Sequence, residues 1–307
     1  MHRIGLDVVP APVRLAIEEG LGAPIVEWAN RPAGYGPSLA AGCTLGDGRR
    51  AFVKAVSTAQ NPDSPDMLRR ELVVGRALRA EIAAPPLLFG HDDGEWVAGG
   101  WELIDGHQPG APWTAADLRA LFDALATLAA QLDPNPVPGL PRWADHCPRG
   151  WAELAADPPA TGLDGWTRRH LARLAAVEAG WAEAVAGDAL LHNDVRSDNV
   201  VIDRAGAVWF TDWANAQQGA AWLDVVSMFP AVALEGGPEP EDALALAGRL
   251  HGDPDPEAVT TYLVALAGYF THCSLLPSPP GLPTVRAFQA AQGEVARRWV
   301  AARAGLA

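Results

Sequence analysis

Leu190-Leu-His-Asn-Asp-Val-Arg-Ser-Asp-Asn-Val-Val-Ile202, followed by Val208-Trp-Phe-Thr-Asp-Trp213, is the stretch on which the reading of this chain turns. It holds His192, Asp194 and Asn199 at H-x-D-x-x-x-x-N spacing and adds a second acid, Asp212, after an apolar run. That spacing suits phosphoryl transfer, in which one carboxylate faces the attacking hydroxyl while an amide and a second carboxylate hold metal against phosphates. An Asp between apolar residues is ordinarily a turn or a cap, so Asp194 alone carries little. The weight lies in the combination, with strand-like runs on both sides.

The local pattern explains how the spacing would work. Val200-Val-Ile202 is a short β-branched run, Asp203-Arg-Ala-Gly206 is a turn, and Ala207 to Thr211 returns as the partner strand. The hairpin brings Asp212 back beside Asn199. Mg²⁺ takes oxygen ligands, keeps several waters and is often held by one or two side chains plus phosphates, which Asn199 and Asp212 would suit. Taken alone, the hairpin also reads as a polar turn capped by Asn and Asp.

Composition bounds the rest. With 307 residues and 49% hydrophobic content, the chain has enough apolar material for one large or two modest domains. Its formal charge of −14 argues against a nucleic-acid partner and mildly favours cationic ligands. No basic segment precedes an apolar one at the first residues, and no apolar run is long enough to span a bilayer, so a soluble, cytoplasmic protein is expected. Cys43, Cys147 and Cys273 are scattered without a C-x-x-C pair, which implies reduced thiols and no zinc knuckle.

The segments ahead of the hairpin hold what phosphoryl transfer would further require. Arg31 to Ser38 is a Gly-rich turn between strand-like runs, where Gly34 and Gly36 admit close approach of backbone N–H groups to phosphate and Ser38 offers a hydroxyl. Gly46-Asp-Gly48 marks a hairpin turn leading into the strand Arg50 to Val56, with Lys54 inside it. A lysine in an apolar strand either finds a partner or alternates outward to solvent. Residues 66 to 80 read as an amphipathic helix on which Glu71 can pair Lys54 and aim it at α- and β-phosphates. The competing reading is a solvent-facing Glu71 paired with arginine at helical spacing. Trp96 to Ile104 forms a further strand whose last residues, Glu102, Leu103 and Ile104, would present backbone groups to an adenine edge. Asp105-Gly-His-Gln-Pro-Gly110 then breaks the pattern, dividing a nucleotide-covering lobe over 1–104 from a helical lobe over 105–307.

On these residues the chain resembles the aminoglycoside phosphotransferase family, the small-molecule branch of the protein-kinase-like fold. The likeness runs from Gly34 to Ser38 through Lys54, Glu71, the Glu102 to Gly106 connection, His192 to Asn199 and Asp212 to Trp222-Leu-Asp-Val-Val226. It implies a two-lobed α+β fold, with an antiparallel five-stranded N-lobe and a mostly helical C-lobe. It also implies Asp194 as base or hydroxyl-orienting group, Asn199 and Asp212 as Mg²⁺ ligands, Lys54 with Glu71 as phosphate clamp, and Asp224 as a brace for the catalytic loop. Asp224 would also suit a cap for the helix beginning at Val225, and the two roles are compatible. Asn193 departs from the usual Gly, and Trp213 follows the second acid where protein kinases have Phe-Gly. Arg196 stands where protein kinases place a lysine near the γ-phosphate, suited to neutralising developing charge; its plainer reading is a surface arginine paired with Asp198.

The resemblance implies ATP-dependent, or alternatively GTP-dependent, phosphorylation of a hydroxyl on a small molecule, such as an aminoglycoside or nucleoside antibiotic. Two rivals stand beside it: a kinase of a primary metabolite of choline or homoserine type, and a nucleotide-binding pseudokinase scaffold. Neither nucleic acid nor membrane is expected as a partner, and the chain would be a monomer or homodimer. Further helices are expected from Thr114, over 164–186 and 257–271, and from Val285 to Ala304. Trp209, Trp213 and Trp222 are core residues or stacking surfaces. The acidic run of Glu235, Glu239, Glu241 and Asp242 either receives amines or is a solvated loop.

Overall fold

The computed structural model describes residues 3–31, 38–110, 112–279 and 282–303. The chain divides into two compact units, residues 1–108 with 198–216, and residues 109–197 with 217–307.

In the first unit, α1 (Ala11–Leu21) buries Val13, Ile17 and Leu21 and ends at Gly22, whose φ of 74° suits the left-handed cap. Five strands follow: β1 (Ile25–Asn30), β2 (Leu39–Leu45), β3 (Arg50–Ser57), then after α2 (Ser64–Ala77) β4 (Leu87–Asp92) and β5 (Trp96–Glu102). They form an antiparallel sheet ordered β1-β2-β3-β5-β4, as the five-stranded expectation requires. Neither α1 nor β4 was anticipated from the sequence.

Strand alternation determines what each helix covers. Ala51, Val53 and Ala55 of β3 pack with the apolar stripe of α1, whereas Phe52 and Val56 pack with Leu68 and Leu72 of α2. Lys54 shares the parity of Phe52 and Val56, so it points to the face that α2 covers. Short strand β6 (Gly106–His107) completes the first stretch of this unit.

The second unit is mainly helical: α3 (Ala115–Gln131), α4 (Gly150–Ala156), α5 (Gly165–Glu178) and α6 (Trp181–Ala184) lead to β7 (Ala189–Leu191). The helix expected over 164–186 is thus two helices, interrupted at Ala179 and Gly180. Thr114 caps α3 as expected, its Oγ1 accepting from Asp117 N at 3.1 Å.

The chain then returns to the first unit for the hairpin of β8 (Val200–Asp203) and β9 (Val208–Phe210), turning at Gly206 with φ 84°. β6 pairs with β8 through Gly106 and His107, giving a three-stranded sheet. β10 (Gln217–Gly219) pairs with β7, and α7 (Leu223–Ser227), α8 (Phe229–Leu234), α9 (Pro240–Ala247), α10 (Pro256–Ser274) and α11 (Val285–Arg303) finish the second unit. α10 runs through its centre, where Tyr262 stacks on Trp181 at 5.7 Å and meets Trp222 edge-on at 5.5 Å. Trp222 and Trp213 are therefore packing residues, and half-buried Trp209 donates its indole N–H to Asp203. No helix among the described residues is long and apolar enough to cross a membrane.

Candidate active site

In the second unit, β7 and β10 hold the loop that begins at His192. His192 is fully buried, and its backbone N–H donates to Asp224 Oδ2 at 2.8 Å. Asn193 N–H donates to Asp224 Oδ1 at 2.7 Å, and Asp194 N–H donates to His192 Nδ1 at 3.3 Å. One buried carboxylate thus satisfies two successive loop amides. Asp224 lies within the first turn of α7, whose N-cap is Trp222, so it braces the loop and is not the cap of a helix at Val225. Burial pushes its carboxyl up to about 6, against the lowering effect of the Asn193 and His192 amides.

The loop's backbone accounts for the unusual residue at position 193. Asn193 has φ 61°, a left-handed conformation that Asn accepts more readily than other side chains bearing a Cβ. A polar residue can therefore stand at this left-handed position. Next along the loop, Arg196 Nε lies 3.5 Å from Asp194 Oδ1, with the two side chains 18% and 25% exposed. The Arg196 guanidinium also sits 5.7 Å from the ring centre of Phe288 on α11. Sequence reading did not find Phe288, because nothing in a helix residue 92 positions downstream signals a partner for this loop.

The first unit gathers the other charged candidates. Lys54 Nζ lies 2.9 and 2.8 Å from the two carboxylate oxygens of Glu71 and 2.9 Å from Asp212 Oδ1. The solvent-facing reading of Glu71 is excluded by its side-chain exposure of 5%. Burial acts against the Lys54 ammonium, yet Asp212 and Glu71 together hold its pKa above the usual lysine value. Burial is also the main cause that raises Glu71 to about 7; Lys54 opposes it, Asp212 adds to it, and the Trp213 N–H opposes it by donating to the carboxylate.

Asp212 takes φ 67°, which turns the chain sharply after β9. Asn199 is buried, and its backbone oxygen accepts from Thr211 N at 2.8 Å and Thr211 Oγ1 at 3.1 Å, so the hairpin register ties Asn199 to the residue before Asp212. The donor types, an amide oxygen and a partly exposed carboxylate that already accepts a cationic ammonium, fit a hard cation. Among the described residues, no cluster of three or more His, Cys, Asp or Glu could hold a metal by itself.

The remaining expectations fall out unevenly. Gly34 and Gly36 lie outside the described residues, while half-buried Ser38 immediately precedes β2, its carbonyl 3.5 Å from Arg3 Nη1. Glu102 is exposed, and its N–H donates to Pro86 O at 2.9 Å, so that backbone donor is engaged within the sheet edge. Leu103 and Ile104 follow it half-buried. In the acidic run, Glu235 accepts from Ser197 Oγ at 2.8 Å and Trp113 Nε1 at 2.9 Å. Glu241 accepts from Trp299 Nε1 at 2.5 Å and Arg303 Nη1 at 2.8 Å.

Residues 43–262 match the phosphotransferase enzyme family, and the chain belongs to it. Its class is that of a small-molecule kinase. Among solved structures, a thermostable mutant of aminoglycoside phosphotransferase APH(4)-Ia, in complex with AMP-PNP and hygromycin B, superposes with a TM-score of 0.61 at 16% identity, covering 95% of this chain and 98% of that one. APH(2")-IIIa with GDP and kanamycin gives 0.60 at 13% identity over 96% and 99%. Amicoumacin kinase hAmiN with AMP-PNP, Ca²⁺ and its antibiotic gives 0.58 at 10% identity over 92% and 93%. These likenesses establish the protein-kinase-like fold. No curated protein matches the chain in sequence.

Proposed function

We propose that the chain transfers the γ-phosphoryl group of ATP to a hydroxyl of a small molecule, an antibiotic such as an aminoglycoside or a nucleoside antibiotic. The observation that carries this reading is Lys54 held at 2.8 to 2.9 Å by Glu71 and Asp212, residues brought together from β3, α2 and the turn after β9. In this reading residues 1–104 cover the nucleotide and residues 105–307 carry the catalytic loop and the acceptor. Lys54, oriented by Glu71, contacts the α- and β-phosphates, and Gly34, Gly36 and Ser38 close over them. Glu102, Leu103 and Ile104 border the base.

Asp194 receives or orients the acceptor hydroxyl proton as that oxygen bonds to the γ-phosphorus and the bond to the β-phosphate oxygen breaks. Its position depends on the Asp224 brace, because both amides ahead of it are fixed to one buried carboxylate. Arg196 offsets negative charge on the transferring group. Asn199 and Asp212 would hold Mg²⁺, which when bound neutralises phosphate charge. ATP is favoured over GTP by the AMP-PNP found with two of the similar structures, while GDP in the third keeps GTP in the test. The protein is taken to work in the cytoplasm as a monomer or homodimer.

Asp194→Asn tests this directly. Turnover of ATP or GTP with a panel of hydroxylated antibiotics should fall by about 10²- to 10⁴-fold, with AMP-PNP affinity within a factor of about two of wild type. Unchanged turnover would remove Asp194 from the chemistry, and a wild-type chain that binds no nucleotide would remove the kinase assignment of these residues.

A further inference from the structure

We infer that the acceptor presents its reacting hydroxyl from a neutral or anionic part of the molecule, and that Arg196, held by Phe288, excludes ammonium groups from the neighbourhood of Asp194. This rests on the kinase reading above and narrows its acceptor, favouring the nucleoside-like candidate over the polyamine one.

Composition points the other way, since a net charge of −14 attracts cations. That field is screened beyond a Debye length of about 8 Å, so groups in contact with the acceptor decide its charge. Two of the four acids of the run that would receive amines, half-buried Glu235 and exposed Glu241, already accept hydrogen bonds within the second unit. Glu235 holds Ser197 and Trp113, and Glu241 holds Arg303 and Trp299. What lies against Asp194 is a cation, with Arg196 Nε 3.5 Å away.

Arg196 also has an aromatic neighbour. Its guanidinium lies 5.7 Å from Phe288, which meets Phe270 edge-on at 6.5 Å, and Phe270 meets the partly exposed Tyr269 at 5.3 Å. To step aside for an ammonium group, the guanidinium must leave both a carboxylate and an aromatic face. An acceptor with an amine next to the reacting hydroxyl meets that repulsion. A carboxylate or a neutral hydroxyl there is accommodated, and the aromatic run offers a surface to a planar or apolar portion.

The test is calorimetric titration of the full chain, saturated with AMP-PNP and Mg²⁺, using kanamycin as polyamine probe, glycerate as anionic probe and uridine as neutral planar probe. Wild type should bind uridine or glycerate more tightly than kanamycin. Arg196→Glu should tighten kanamycin by at least about tenfold, the size expected for one like-charge contact at intermediate dielectric, and weaken glycerate. Phe288→Leu should shift kanamycin the same way by a smaller factor, with AMP-PNP affinity unchanged. A wild-type preference for kanamycin overturns the inference, and so does equal behaviour of wild type and Arg196→Glu toward all three probes. Failure of AMP-PNP to bind wild type counts against the kinase reading instead.

Discussion

Lys54, Glu71 and Asp212 place two carboxylates around one ammonium, and Glu71 is the member that water reaches least. Its carboxyl titrates near 7 in the folded protein, against about 4.3 in an unfolded chain. Between those values the folded state keeps a proton that the unfolded state has released, so stability from this group is present at low pH and is lost as pH rises through about 7. Glu71→Gln has no such titration. Urea denaturation at pH 5 and pH 8 should therefore show the stability of wild type minus that of Glu71→Gln falling by on the order of 2 kcal/mol across the interval. A difference that grows with pH would mean that Lys54 outweighs burial at this site. The residue types of this trio were legible in the sequence, because a strand lysine and a helix glutamate each need a partner when buried. The contact of Lys54 with Asp212 was not, since it depends on α2 and the hairpin meeting the same face of the sheet.

Among the elements, α4 owes its position to residues outside itself. Arg149 precedes it with φ 51° and provides no side-chain cap. Buried Glu178, from the last turn of α5, instead accepts from Trp151 N at 3.1 Å and Ala152 N at 2.9 Å. Burial raises its carboxyl above the usual glutamate value, with the Ala152 and Trp151 amides opposing. Closure against α10 leaves no room for added atoms: a Cβ on Gly150 would lie 2.1 Å from Gly268 O, and one on Gly268 would lie 2.6 Å from the Trp151 ring. Glu178→Ala strands two amides in the core and should cost about 2–3 kcal/mol in chemical denaturation, whereas Glu178→Gln retains an acceptor and should cost less. Equal losses would assign the effect to side-chain volume. Helices α3, α10 and α11 were legible because their apolar residues recur at helical spacing. The locking of α4 was not, because Glu178 reads as one more surface acid and Gly268 as one more small residue in an apolar run. The β4 strand escaped for a related reason: its single apolar face lies within Leu87–Asp92, just after a Pro-Pro pair that suggests a loop.

At the scale of the whole molecule, the first unit is assembled from two stretches of chain. Residues 1–108 supply the five-stranded sheet, α1, α2 and β6, and residues 198–216 return to complete them. The returning hairpin pairs β8 with Gly106 and His107, and Phe210 N donates to Ala83 O at 2.8 Å. Ala214 O accepts from Arg70 Nη1 at 3.2 Å, while Asp212 and Trp213 partner Lys54 and Glu71. A change in composition at Asp105 to Gly110 marks where element types change, but it contains no information about a segment that comes back ninety residues later. Without that segment, α2 loses the contacts of Arg70 with Ala214 and of Glu71 with Trp213, Lys54 loses Asp212, and β6 has no strand to pair with. A fragment of residues 1–108 should therefore lack a sharp urea transition followed by circular dichroism, because cooperative unfolding requires a complete core. Fusing residues 198–216 to Gln108 through a flexible linker should restore a cooperative transition, since the hairpin then supplies the missing partners at high effective concentration. Substituting Asp212→Ala and Phe210→Ala within the fused hairpin should weaken that restoration. A fragment of residues 1–108 that unfolds as sharply as the fusion would show that the sheet and its two helices suffice, leaving the hairpin's contribution to the placement of Asn199 and Asp212 alone.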